Sequence, residues 1–311
     1  MAKKVKVDPL AEAIAKIEKA HGKGVIRKGN EIAPISRVPS GIFALDCGVG
    51  LFEGVPGFPR GRVTILVGEE STCKTLIALK LIAEFQRMRE QTVYVDAEGD
   101  WDSGWCLKVG VDPDDVLIQP SECAEQSLDI IAELIRVLPT GLIVVDSWAQ
   151  LAPTVEIEDS FDDQQRGAAA KLNNKAWRNF QAGMNSAARG GGTGPTIIAV
   201  QQWRTGFSRT GGYRTMPGGQ GQKFASSVTV QLRQQRPVWH LPGSGRLSAW
   251  PKEKKQRDQV LVVGNVFSFE VAKNKTAPPH RTGEFEIYTT HYDDPDTGDS
   301  YRPAATNYAE Q

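Results

Sequence analysis

The sequence predicts an α/β fold: a mostly parallel central sheet covered by helices on both faces. Three observations predict it. Continuous apolar runs at 62–67, 142–146 and 196–202 read as strands buried on both sides. Segments of helical spacing, 75–89, 124–138 and 166–188, alternate with them. The chain of 311 residues, 40% hydrophobic and 24% charged, is long enough for one sizeable core with appendages.

Each element has a local reason. Asp8 as N-cap and Pro9 at the first helical position open a helix over 8–21, with Leu10, Ile14 and Ile17 on one face and Gly22 and Gly24 ending it. Its apolar face is too narrow to fold alone, so it must dock on its own core or on a neighbouring subunit. A linker follows to 38. Arg62–Val67 is β-rich, and Leu76, Leu79, Ile82 and Phe85 mark the next helix. Thr92–Asp96 and a short run at 116–118 are strands; Leu128, Ile131, Ile135 and Leu138 mark a second helix. After 196–202 the runs at 226–233, 260–272 and 284–289 read as antiparallel, because their connections are too short or too polar for crossover helices. Residues 203–221, 234–258 and 289–311 are expected to be mobile, the last as an acidic disordered tail.

Four scattered cysteines without CxxC pairs exclude a disulfide scaffold and a zinc ribbon and suit a reducing cytoplasm. No window approaches the ~18 apolar residues of a membrane span, and no secretory signal opens the chain, so no membrane partner is expected. The 37 basic and 37 acidic residues cancel, yet they segregate. Residues 84–163 hold 19 Asp/Glu against 4 Lys/Arg, whereas 164–252 hold 13 Lys/Arg and no carboxylate. A face that meets a polyanion must exclude acids, and this distribution points to one.

Gly68-Glu69-Glu70-Ser71-Thr72-Cys73-Lys74-Thr75 follows a strand and opens a helix, the context of a phosphate-binding loop. Backbone N–H groups would cradle phosphates, Lys74 would reach the β- and γ-phosphates, and Thr75 would hold Mg²⁺. Cys73 stands where the pattern has its second glycine. Asp146, ending an apolar strand, supplies the second metal-facing group, and Glu98 in Asp96-Ala97-Glu98 sits where a base could act on the water that attacks the γ-phosphate.

These motifs, with Ser40-Gly41 to Leu45-Asp46, Gly110-Val-Asp112, Gln126, Glu156-Ile-Glu158, Gln201-Gln-Trp-Arg204, Gly218-Gly219, Lys223-Phe224 and Lys273-Asn-Lys-Thr-Ala-Pro278, occur in the order seen in the RecA family of homologous recombinases, and over 8–288 the chain resembles it. The resemblance implies a RecA-type P-loop ATPase core at 39–288, an N-terminal polymerisation arm and linker at 1–38, and ATP with Mg²⁺ as cofactors. It implies Glu98 as catalytic glutamate, Gln202 as γ-phosphate sensor, Asp102 and Trp105 beside the adenine, and Lys273 and Lys275 reaching the adjacent subunit's γ-phosphate, with Phe224 at that interface. DNA loops would lie at 158–166 and 203–217, with Lys171, Arg178 and Arg204 on phosphates; read from the residues alone, Asp159, Asp162 and Asp163 make the first loop acidic, so only its end near Arg166 faces phosphate, while Arg209 and Arg214 serve the second. Arginines interleaved with Trp203, Phe207 and Tyr213 also suit single-stranded nucleic acid on chemistry alone.

Two features depart from the family. Only 23 residues follow Tyr288, where bacterial members have a helical domain, and 234–258 exceeds the family's turn. They suggest a phage or mobile-element version, in a bacterial or phage-infected cytoplasm. The expected activity is an ATP-dependent recombinase that forms filaments on single-stranded DNA and exchanges strands with double-stranded DNA. A non-hydrolysing RecA-like mediator and a ring helicase motor are the alternatives.

Overall fold

The computed structural model describes residues 8–154, 168–189, 192–208 and 211–303. Among the described residues the central sheet has nine strands: β1 (Val63–Gly68), β2 (Thr92–Asp96), β3 (Leu117–Pro120), β4 (Leu142–Asp146), β5 (Thr196–Gln202), β6 (Val228–Leu241), β7 (Gly245–Leu247), β8 (Leu261–Asn274) and β9 (Thr282–Tyr288). Their order is β9-β8-β6-β1-β5-β4-β2-β3, with β7 paired to β6. From β3 across to β6 every pairing is parallel; β7, β8 and β9 join antiparallel. The expected parallel core is therefore present, and β6 is the strand at which direction changes.

Successive side chains of a strand alternate faces, and the two cores divide accordingly. Leu66, Val144, Ile198 and Val200 join Leu76, Ile77, Leu81 and Phe85 of α3 (Lys74–Arg87) on one face. Ile65, Val67, Ile143, Val145, Ile197 and Ala199 meet α5 (Ala124–Val137) and α6 (Ala168–Arg189) on the other. There Trp148 stacks on Trp177 with centroids 4.2 Å apart, and its indole N–H donates to Asn173 Oδ1 at 2.6 Å. Each such apolar side chain contributes about 1.5–3 kcal/mol on burial.

The amino-terminal helix α1 (Pro9–His21) forms as its caps dictate: Asp8 accepts from the Leu10 N–H, and Gly22 ends it. No residue of α1 is buried. The smaller helices are α2 (Phe43–Val49), α4 (Ser103–Val109) and α7 (Gly221–Ala225). Arg37 and Val38, placed in the linker by sequence, pair with Pro59 and Phe58 and are buried.

Three expectations of mobility are corrected. Within 203–221, Arg204–Ser208 pairs with Gly211–Thr215 as a hairpin, and α7 begins at Gly221. Within 234–258, β6 runs on to Leu241, turns into β7, and a short helix, α8, spans Lys254–Arg257. The acidic end is folded as far as residue 303: Tyr292–Asp293 pairs with Ser300–Tyr301. The reason is burial of Asp294, whose carboxylate shares a 2.6 Å hydrogen bond with His240 and accepts from the Gly243 N–H at 2.9 Å. Those contacts offset the cost of ordering acidic chain. Residues 304–311 lie outside the described residues.

Candidate functional site

The phosphate-loop segment joins β1 to α3 at the carboxyl end of the parallel strands, where such sheets place ligands. Gly68 is required there: a Cβ would lie 2.3 Å from Thr72 Oγ1 and 2.7 Å from the Leu232 carbonyl oxygen. Cys73 has φ 58° and ψ 20°, the left-handed conformation that glycine adopts at least cost. The glycine-type backbone survives the substitution. Thr72 Oγ1 donates to the Glu69 carbonyl at 2.8 Å, and Lys74 Nζ donates to the same carbonyl at 2.6 Å. Lys74 is buried; burial holds its ammonium below the usual lysine range, opposed by Asp146.

Thr75 lies in the first turn of α3, and its hydroxyl donates to Asp146 Oδ2 at 2.6 Å. The Tyr94 hydroxyl donates to the same oxygen at 3.1 Å. Burial pushes the Asp146 carboxyl up to about 6, against the Thr75 hydrogen bond that lowers it. Tyr94 was not singled out from sequence. Its signal was parity: it lies two residues before Asp96 on β2, directly opposite Val144.

Glu98 lies in the turn after β2. Asp96 shapes that turn by accepting from the N–H groups of Gly99, Asp100 and Trp101 at 2.8, 3.3 and 3.3 Å. Gln202, the last residue of β5, donates from Nε2 to Glu98 Oε1 at 3.0 Å. The hairpin Arg204–Thr215 starts two residues later, and Arg214 pairs with Glu69 of the phosphate loop. Asp102 caps α4, its Oδ1 accepting from the N–H groups of Gly104 and Trp105 at 2.8 and 3.1 Å. Trp105 is half-buried against the α3-side core.

Lys74, Thr75, Asp146, Glu98 and Gln202 therefore sit at one end of the sheet, and Lys273 and Lys275 do not join them. Lys273 pairs in register with Thr229, which pairs with Ile65, near the amino end of β1. Its ammonium donates to the carbonyls of Lys223 and Ser226, and Lys275 donates to that of Phe224 at 2.9 Å. Burial, then Lys275, bring Lys273 down to about 8.

Of the candidate DNA contacts, Lys171 and Arg178 are exposed on α6, and Arg178 Nε donates to the Asn174 carbonyl at 3.3 Å. Arg204 donates to the Ala149 carbonyl at 3.4 Å. Phe207 pairs in register with Gly212. Arg166, Arg209 and the whole of the expected first loop, 158–166, lie outside the described residues.

The RecA N-terminal domain family matches residues 8–292. Protein RecA of a Nocardioides species is 36% identical over 281 residues, 89% of this chain and 72% of that protein. The chain belongs to the RecA family. Protein RecA of Cutibacterium acnes is also 36% identical over 281 residues, 89% of this chain and 73% of its own, and that of Bacillus licheniformis 36% over 278 residues, 88% and 72%. Among the described residues no helix is long and apolar enough to cross a membrane.

Seen as a RecA-family core, the site has, besides Tyr94, a second feature that sequence reading missed. Gln201 Nε2 donates to Gln222 Oε1 at 2.6 Å, and Gln222 Nε2 donates to the Pro217 carbonyl at 2.6 Å. Both glutamines are fully buried. They tie β5, which carries Gln202, to α7, whose carbonyls hold Lys273 and Lys275. A polar residue in the apolar run of β5 was the available signal.

Proposed function

We propose that the chain is an ATP-dependent, DNA-binding recombinase and DNA-dependent ATPase that assembles as a helical filament on single-stranded DNA and exchanges strands with a duplex, in the cytoplasm of a bacterial or phage-infected cell. The observation that carries the reading is the Gln202–Glu98 hydrogen bond, which links a candidate general base to a residue two positions from the arginine-bearing hairpin.

The Thr75 hydroxyl and the buried Asp146 carboxylate, 2.6 Å apart, are hard oxygen donors that suit Mg²⁺. Bound there with ATP, the ion would neutralise charge on the phosphates. Loop N–H groups and Lys74 would hold the triphosphate. Lys74 now donates to neutral oxygens, so its charge is available. Glu98 would take the proton of the attacking water, and Gln202, which holds Glu98 by one oxygen, would release or orient it when phosphate or DNA moves the hairpin. Trp105 offers a π-face to adenine, while the Asp102 carboxylate already serves as a helix cap.

Lys273 and Lys275 point to the end of β1 opposite its own phosphate loop, so they would act on a neighbour's nucleotide, as an arginine finger does. Phe224, 76% exposed beside them, and α1, with no buried residue, would make the same assembly contacts. In this reading 1–38 is the assembly arm and 39–288 the catalytic core. Steady-state ATP hydrolysis with and without single-stranded DNA tests the proposal. Stimulation that Glu98→Gln abolishes supports it; hydrolysis indifferent to DNA refutes it.

A further inference from the structure

Arg37 has no part in the site above. It lies before the core, where Arg37 and Val38 pair with Pro59 and Phe58, and it is only 7% exposed. Its Nη1 donates to the carbonyls of Gly57 at 2.8 Å and Val49 at 3.4 Å. Its Nη2 donates to the carbonyl and the hydroxyl of Thr276, both at 3.0 Å. One guanidinium thus joins the end of α2, the segment that follows α2, and the turn after β8. Gly50 leaves room for it: a Cβ there would lie 2.8 Å from Arg37 Cζ and Nη2.

Thr276 directly follows Lys275, and the turn that carries it is held closely. Asn274, between the two lysines, accepts at Oδ1 from the Thr276 N–H at 2.8 Å, the Thr276 hydroxyl at 2.9 Å and the Ala277 N–H at 2.9 Å. Its Nδ2 donates to the Val49 carbonyl at 2.7 Å, and the Lys275 N–H donates to the Ser227 carbonyl at 2.8 Å. The backbone bearing Lys273 and Lys275 is therefore fixed from two sides, by its own asparagine and by Arg37. Among the described residues no carboxylate pairs with Arg37. Burial, then the charge of Arg281, hold its guanidinium below the usual arginine range. Neutral oxygens offset only part of the cost of taking a cation out of water. An apolar side chain would fill the place at less cost, which points to a task for the forked donors.

We propose that Arg37 is a positioning residue for the two lysines: it holds the 274–277 turn in the shape that sets Lys273 and Lys275 toward the nucleotide of the neighbouring copy. The inference rests on the reading above in which those lysines act across the junction between copies. Arg37 works through the turn and not on phosphate, since both of its terminal nitrogens are engaged. Placement matters because an error of about 1 Å at a reacting centre costs about 10²-fold in rate. Methionine would keep most of the packing and lose every one of these bonds. Lysine would keep the charge, but a single ammonium cannot reproduce the fork between Gly57 and Thr276.

The test is ATP hydrolysis with single-stranded DNA by the wild type and by Arg37→Met, Arg37→Lys, Lys273→Ala/Lys275→Ala and Glu98→Gln proteins, alone and in equal mixtures. Alone, Arg37→Met should lose about 10²-fold in kcat while its ATP affinity without DNA stays at the wild-type value. Arg37→Lys should lose less, and it keeps the test open if the methionine variant fails to fold. Mixing separates positioning from damage to the fold. Glu98→Gln spoils only its own protomer's nucleotide site, so its lysines can serve a neighbour. In a head-to-tail assembly, mixing Glu98→Gln equally with an Arg37 variant or with the lysine variant should recover about a quarter of the wild-type rate, because about one junction in four combines two intact halves. Wild-type kcat in both Arg37 variants would overturn the proposal. So would Arg37 mixtures that stay inactive while the lysine-variant mixture recovers, since Arg37 would then serve its own nucleotide site or the fold alone. If the lysine-variant mixture also stays inactive, the reading of the lysines across the junction fails, and the proposal falls with it.

Discussion

Replacing Asp146 by Asn should stabilise the protein without nucleotide while weakening its hold on Mg²⁺ and ATP. Asp146 is 3% exposed, and burial raises its carboxyl from 3.8 to about 6. A shift of roughly two units, at about 1.4 kcal/mol each, means that ionised Asp146 costs the fold up to about 3 kcal/mol. The asparagine Oδ1 can still accept from Thr75 and Tyr94. Lys74 loses a neighbouring charge that helps to hold its proton, which reduces the gain to about 1–3 kcal/mol. The sign follows from linkage. A raised carboxyl binds its proton more tightly in the folded state, so ionisation costs nothing below about pH 4 and its full amount above about pH 7. Urea unfolding of both proteins without nucleotide, at about pH 4.5, 6 and 7.5, reads this difference. The advantage of Asn should grow with pH, and ATP affinity in Mg²⁺ should fall about tenfold or more. An Asn variant less stable at about pH 7.5, or equally shifted at every pH, would refute the reasoning.

Glu98→Gln should keep ATP binding but slow turnover by about 10²–10⁴-fold in a single-turnover assay, because an amide takes no proton. Cys73→Gly should change stability by less than about 1 kcal/mol in denaturant titration: relief of the left-handed strain, about 1–2 kcal/mol, is offset by glycine's entropy and the lost packing of a partly buried side chain. Its ATPase rate should be preserved or raised, and a fall would show that the thiol has a function of its own. Arg204→Ala should weaken single-strand binding for all sequences alike and reduce the salt slope by about 0.7, whereas Phe207→Ala should cost about 1–3 kcal/mol of binding with the slope unchanged.

The parallel core was legible because its strands are buried on both faces and write themselves as uninterrupted apolar runs; Thr92–Asp96, Leu142–Asp146 and Thr196–Gln202 end where the sequence places them. The phosphate loop was legible from a strand, a lysine–threonine pair and a helix in series. Its left-handed residue was not, since cysteine carries no preference for that conformation. The 234–258 segment and the tail were misread for one reason. Their order rests on pairings such as His240 with Asp294 and Arg246 with Glu286, across 54 and 40 residues, whose members look locally like solvated charges. The Gln202–Glu98 contact spans 104 residues and was equally silent.

Electron microscopy of the purified chain with ATP and single-stranded DNA tests the central claim most directly. The account predicts helical filaments that need both ligands and fail to form with Lys74→Ala. Closed rings, or dispersed protein under the same conditions, would contradict it.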